Sequence, residues 1–121
     1  MINTAFVVED CSLTMQMTIY FLKKLGIKQI CTAANYVEFE KLCNNKVIPN
    51  LVITDWNIDH NLTGNDVIEQ MSKFDIPIAV LTSEDHVHLQ RIYPNAKCSF
   101  FSKPLNVNAL QEWLKQYFIF S

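Results

Sequence analysis

An α/β fold, a doubly wound parallel five-stranded sheet with helices on both faces, is what this sequence supports, and three observations predict it. The runs Ala5-Phe6-Val7-Val8, Leu51-Val52-Ile53-Thr54 and Pro77-Ile78-Ala79-Val80-Leu81 are short and continuously apolar, as strands buried on both faces must be. Between them, apolar residues recur at helical spacing, so strands and helices alternate as in right-handed crossover units. Polar residues with chemical potential then fall at four strand ends: Glu9-Asp10, Asp55, Thr82-Ser83 and Lys103-Pro104. All four lie at carboxyl ends, where such a sheet opens its ligand crevice.

The elements follow in order. After the Ala5 to Val8 strand, Ser12 is placed to cap a helix in which Leu13, Met17, Phe21 and Leu25 recur every fourth position, ending at Gly26. Gln29 to Ala33 reads as a second strand. Val37, Phe39, Glu40, Leu42 and Cys43 indicate a short second helix before Asn44-Asn45 and Pro49. The strand ending in Asp55 leads into a polar loop from Asn57 to Thr63, then a helix from about Gly64 to Lys73 carrying Val67, Ile68 and Met71. The Pro77 to Leu81 strand precedes a short helix with Val87, Leu89 and Ile92, closed by Pro94-Asn95. Cys98 to Phe101 forms the fifth strand, and a last helix carries Leu105, Val107, Leu110, Trp113, Leu114 and Tyr117.

Composition sets outer limits. With 121 residues and 50% hydrophobic content, the chain reads as one domain over 1–121, able to bury a core without disulfides or metal staples and with no output domain. Its net charge of −2 and the lack of a long Lys or Arg run argue against a nucleic-acid partner. Cys11, Cys31, Cys43 and Cys98 form no CxxC pair, so they read as reduced thiols of a cytoplasmic protein, packed as small core hydrophobes. No apolar stretch approaches the roughly 20 residues of a bilayer span, so no membrane role is expected. Trp113, Tyr117, Phe118 and Phe120 nevertheless form more apolar surface than one helix stripe needs. Two readings stay open: a loosely packed tail, or a target or homodimer surface to which Trp113, Tyr117 or Phe118 contributes on the face that holds Phe100.

If the first and third strands are parallel neighbours, Glu9, Asp10 and Asp55 meet at one sheet edge. Three close carboxylates repel one another unless a cation sits among them, and a hard divalent ion that prefers oxygen ligands suits them. Taken singly, each residue has an ordinary reading: acids after strands cap helices, and a Lys before a Pro is usually a solvated loop residue. Four strand ends in register are harder to dismiss.

These residues resemble the receiver domains of bacterial two-component response regulators, the CheY-like family with a flavodoxin-like (βα)5 fold, and the resemblance covers the whole chain. It implies that Asp55 is the phosphoacceptor, Glu9 and Asp10 the acidic pair that holds magnesium, Thr82 the switch hydroxyl and Lys103 the phosphate-pairing lysine. The ion, with manganese as a possible substitute, would be held by Asp10, Asp55 and a main-chain carbonyl, that of Asn57, with Glu9 acting through water. The Lys103-Pro104 bond is commonly cis in the family. Phe100 is similar to the aromatic residue that changes rotamer on activation, becoming more buried. Asn57 and Glu84 match positions that influence phosphoryl lifetime.

The implied partners are a sensor histidine kinase or a histidine phosphotransfer protein as donor, and an unknown protein target bound through the face of the fourth helix, fifth strand and fifth helix. The chain would catalyse only its own phosphorylation and dephosphorylation. A phosphorelay intermediate and a phosphate-independent binding module are the alternatives, the intact site arguing against the second. The segment Ile58 to Thr63 departs from the family's Met-Pro turn, and helices three and four look short. His86 and His88, two apart, lie on different helix faces and do not make a metal pair.

Overall fold

The computed structural model describes residues 3–93 and 97–118, the side chain of His86 excepted. Pro94-Asn95, read as the stop of the fourth helix, and Phe120 lie outside the described residues. In chain order the elements are β1 (Thr4–Val8), α1 (Ser12–Lys24), β2 (Gln29–Ala33), α2 (Tyr36–Asn44), β3 (Leu51–Asp55), β4 (Asn57–Asp59), β5 (Leu62–Thr63), α3 (Gly64–Met71), a 3-10 turn (Ser72–Phe74), β6 (Ile78–Thr82), α4 (His86–Ile92), β7 (Cys98–Ser102) and α5 (Val107–Leu114).

Five strands form one sheet in the order β2-β1-β3-β6-β7, and every neighbouring pair in it is parallel. All five residues of β1, β3 and β6 are buried, as expected of central strands covered on both faces. One layer packs Phe39 of α2, Val67, Ile68 and Met71 of α3 and Leu89 of α4 on Phe6, Val8, Val52, Val80 and Phe100. The opposite layer packs Phe21 and Leu22 of α1 and Leu110, Trp113 and Leu114 of α5 on Val7, Ile53, Ala79 and Leu81. Among the described residues, no helix is long and apolar enough to cross a membrane.

Helix α1 corrects its expected stripe. Leu13 and Met17 are 64% and 52% exposed, while Thr18, Phe21 and Leu22 are buried. A four-residue repeat drifts by about 40° per step on a helix with 3.6 residues per turn, so Leu13 to Leu25 cannot all face the sheet. Cys11, not Ser12, is the N-cap residue, and no side chain caps the helix there. At the other end Gly26 takes φ +87°, a left-handed conformation that favours glycine, and its N–H donates to the Lys23 carbonyl.

The stretch from Asn57 to Thr63 is a small antiparallel hairpin, β4 with β5, not a polar loop. Ile58 and Leu62 point into the core, 4% and 1% exposed. Asp59 fastens the hairpin: Oδ1 accepts from Asn61 N at 2.7 Å and Oδ2 from Tyr36 N at 2.8 Å, and these backbone donors, Tyr36 foremost, hold its carboxyl below the usual range. Thr63 and Asp66 then form a capping box that starts α3.

Three further expectations are corrected. Val87 and Ile92 of the seven-residue α4 are 50% and 55% exposed, leaving Leu89 as its buried apolar residue. Cys11 is exposed and Cys31 and Cys43 are half-buried, so only Cys98 is a core thiol. Trp113 is buried, stacked edge-on between Phe101 and Tyr117 at 5.5 and 5.2 Å, and Tyr117 and Phe118 pack on the α1/α5 layer. Phe100 lies in the opposite layer, so these aromatics share no face with it.

Candidate functional site

The sheet order puts the topological switch between β1 and β3, and the acidic residues stand there. Val8 is paired with Thr54, so Glu9, just past β1, and Asp55, the last residue of β3, emerge side by side. Carboxylate oxygens of Glu9, Asp10 and Asp55 all lie within 4.8 Å of one another. Glu9 and Asp55 are 3% and 6% exposed, whereas Asp10 faces solvent.

Lys103, just past β7, reaches this cluster: its Nζ lies 3.0 Å from Asp55 Oδ2 and 3.5 Å from Glu9 Oε1. Its backbone N–H donates to the Thr82 carbonyl at 2.8 Å, fixing it against β6, and its peptide bond to Pro104 is cis. Burial disfavours its charge, but Asp55 and Glu9 outweigh that and raise its pKa. One ammonium does not neutralise three carboxylates. Burial, and next the contact with Asp55, push the Glu9 carboxyl up to about 7, against the opposing effects of Cys11 N–H and Lys103.

The other Asp55 oxygen, Oδ1, accepts from Trp56 N at 2.8 Å. Thr82 is buried, and its Oγ1 accepts from Glu84 N at 2.9 Å. Asn57 and Glu84 are joined to each other, Nδ2 to Oε2 at 3.2 Å, so the ends of β3 and β6 are tied across the site. Phe100 is 5% exposed and packed edge-on against Trp56 at 5.6 Å. The ring expected to become more buried on activation is therefore already inside.

Two contributors went unseen in the sequence. Gly64 opens α3 so close to β3 that an added Cβ would lie 2.6 Å from Trp56 Cε3, 3.0 Å from Trp56 Cα and 3.1 Å from the Asp55 carbonyl oxygen. Its N–H donates to the Trp56 carbonyl at 2.7 Å, so the backbone that carries Asp55 is pinned on that side. Tyr93 completes an aromatic trio with Trp56 and Phe100, at 5.9 and 5.6 Å. A glycine eight residues after a tryptophan carries no local signal, and neither does a tyrosine after a helix.

The donor set fits a hard cation. It is all oxygen and mostly anionic, and the buried Glu9 Oε1 has the 3.5 Å ion pair with Lys103 but no hydrogen bond. Comparison with known proteins agrees at the level of the backbone. The sequence matches no family model and no curated protein sequence. Among solved structures, a response regulator receiver protein from Sinorhizobium medicae WSM419 is similar with a TM-score of 0.81 at 14% identity, covering 94% of this chain and 92% of that one. The fold is that of response regulator receiver domains. The chemotaxis response regulator CheY4 of Vibrio cholerae matches this receiver fold with a TM-score of 0.76 at 23% identity, over 96% of this chain and 98% of that one. A response regulator from Burkholderia pseudomallei, solved with a phosphorylated aspartic acid, a calcium ion and citrate, has a TM-score of 0.75 at 22% identity, over 93% of this chain and 66% of that one. At these identities the likeness concerns the receiver fold.

Proposed function

We propose that this chain is a phosphoacceptor switch of a two-component system, in which Asp55 takes a phosphoryl group from a phosphohistidine on a kinase or phosphotransfer protein. The observation that carries this reading is the ion pair of Asp55 with Lys103 inside a carboxylate cluster at the switch point of a receiver fold. A neighbour of the same fold carrying a phosphorylated aspartic acid and a calcium ion supports it.

In the transfer, an Asp55 oxygen attacks phosphorus, the P–N bond breaks, and the imidazole leaves with the electron pair and takes up a proton. The backbone sets the geometry of the Asp55 carboxylate: the Trp56 N–H fixes Oδ1, while Oδ2 faces Lys103. Lys103 then pairs with a phosphoryl oxygen, and Thr82 donates to another. Asp10, Asp55 and the Asn57 carbonyl would hold magnesium or manganese, with Glu9 acting through water. When bound, the ion keeps Asp55 ionised and screens the incoming phosphoryl oxygens. Catalysis is confined to the chain's own aspartate. Hydrolysis of the aspartyl phosphate ends the signal, its rate set partly by the Asn57 and Glu84 pair.

The output surface is α4, β7 and α5, where Val87 and Ile92 of α4 are exposed. Free thiols at all four cysteines support a cytoplasmic setting. Incubation with acetyl phosphate and magnesium, followed by intact-mass measurement, tests the reading. One phosphoryl group is expected on the wild type and none on a folded Asp55→Asn variant; uptake that survives the substitution refutes the assignment.

A further inference from the structure

Helix α4 docks on the sheet through a single buried apolar side chain. It has seven residues, too few for an isolated helix to persist in water, and Leu89 is its buried apolar side chain. Polar ties must then carry much of its docking, and one residue supplies three of them. Gln90 Nε2 donates to the Cys98 carbonyl at 2.9 Å and to the Tyr93 carbonyl at 3.0 Å, while its Oε1 accepts from Phe100 N at 3.0 Å.

β7 is an edge strand, and the Cys98 carbonyl and Phe100 N–H sit on its outer side. The Gln90 carboxamide therefore stands where one peptide unit of a further strand would stand, and it satisfies edge groups that α4 would uncover on leaving. Beyond α4, Tyr93 packs on Trp56 and Phe100, and its hydroxyl donates to Asn65 Oδ1 on α3. The start of α4 is tied to the site itself. Thr82 Oγ1 accepts from Glu84 N, and Asp85 caps the helix through Val87 N and His88 N.

We propose that Gln90 is the latch of this switch, its carboxamide clamping α4 to the outer edge of β7, so that the signal leaves when this clamp opens rather than by rotation of Phe100. The proposal rests on Asp55 as phosphoacceptor and names how that site is read out. When Thr82 turns toward a phosphoryl oxygen, its bond to Glu84 N is lost and the front of α4 is untied. The Gln90 clamp and the Tyr93 ring then decide whether the helix stays. Phe100 has no inward step left to take, because it already lies between Trp56 and Tyr93.

Hydrogen–deuterium exchange, run with and without beryllium fluoride and magnesium as a phosphoryl mimic, tests this, with fluorine nuclear magnetic resonance reporting the bound mimic. Wild-type protein should show exchange faster by on the order of tenfold at the Phe100 amide and across α4 when the mimic is bound. A Gln90→Leu variant should show that faster exchange without the mimic, with little added by it, while β1 and β3 stay protected. Tyr93→Phe, which removes only the tie to Asn65, should fall between the two. Bound mimic with unchanged exchange at Phe100 and α4 overturns the latch and leaves the Asp55 reading standing. Absence of any bound mimic overturns both. Loss of protection in β1 and β3 of the Gln90 variant makes that residue a general stability contact, and the wild-type measurement then decides alone.

Discussion

Lys103 Nζ sits 3.0 Å from Asp55 Oδ2 and 3.5 Å from Glu9 Oε1, so a single ammonium holds together two buried carboxylates from different strands. Removing it leaves those charges facing each other in a region of low dielectric, where repulsion is strong. It also removes the group that would meet the incoming phosphoryl oxygen.

Lys103→Met should therefore slow phosphoryl uptake from acetyl phosphate by about a hundredfold, in line with the loss of one preorganised electrostatic contact. The fold should persist, because a protonated Glu9 relieves part of the repulsion. Rates from a mass-resolved time course check this; uptake within twofold of wild type would remove Lys103 from the reaction.

The raised Glu9 carboxyl predicts a pH dependence with a definite sign. A carboxyl that titrates near 7 in the folded chain and near 4.5 unfolded binds its proton more tightly when folded. Its contribution to stability is complete below 4.5 and is lost as pH rises toward 7, an effect on the order of 3 kcal/mol. In chelator, urea unfolding should show stability falling across that window, and Glu9→Gln should flatten the fall. Magnesium should offset part of the loss above pH 7, by about 1 kcal/mol when the site is a few-fold saturated, and do less near pH 5. A melting temperature that ignores magnesium at pH 8 would count against the cluster as a cation site.

Elements with one unambiguous period were legible in the sequence. The continuous apolar runs located β1, β3 and β6 to within a residue, the mixed segments Gln29 to Ala33 and Cys98 to Phe101 fell into the alternation as β2 and β7, and the strand ends carried Glu9, Asp10, Asp55, Thr82 and Lys103 to one edge. Features set by tertiary contact were not legible. Ile58 and Leu62 look like interruptions in a polar loop until the hairpin turns them into the core. Trp113, Tyr117 and Phe118 look excessive for one stripe because the sequence does not reveal Phe101, which supplies a partner ring for Trp113 from β7. The side of the sheet that takes Phe100 rather than Phe101 depends on strand register, which no local pattern states.

The face of α1 offers a direct check of that distinction. Met17→Gln, at a position 52% exposed, should change stability by no more than about 0.5 kcal/mol. Leu22→Ala, at a position with no exposure, should cost about 2–5 kcal/mol through lost burial and the cavity it leaves. Both follow from urea midpoints measured side by side. Comparable costs at the two positions would restore the four-residue stripe and reject the observed helix orientation.

Gly64 supplies the last test, because there the physical effects oppose each other. Alanine is a better helix former than glycine by up to about 1 kcal/mol, and Gly64 is the first residue of α3. Its φ is not in the left-handed region, so backbone freedom is not what requires glycine. What requires it is space: the new methyl would meet Trp56 Cε3 at 2.6 Å, and that ring is wedged against Tyr93 and Phe100. Its other neighbours are backbone atoms, Trp56 Cα at 3.0 Å and the Asp55 carbonyl oxygen at 3.1 Å, which do not rotate away. Relief must come from moving the start of α3 off the end of β3, at about 1–3 kcal/mol, more than the propensity gain. Gly64→Ala should therefore lower the urea midpoint. It should also slow phosphoryl uptake at Asp55 under conditions where the variant remains folded, since the displaced backbone carries the reacting carboxylate. A Gly64→Ala protein as stable as wild type, with unchanged uptake, would show that α3 does not approach β3 this closely.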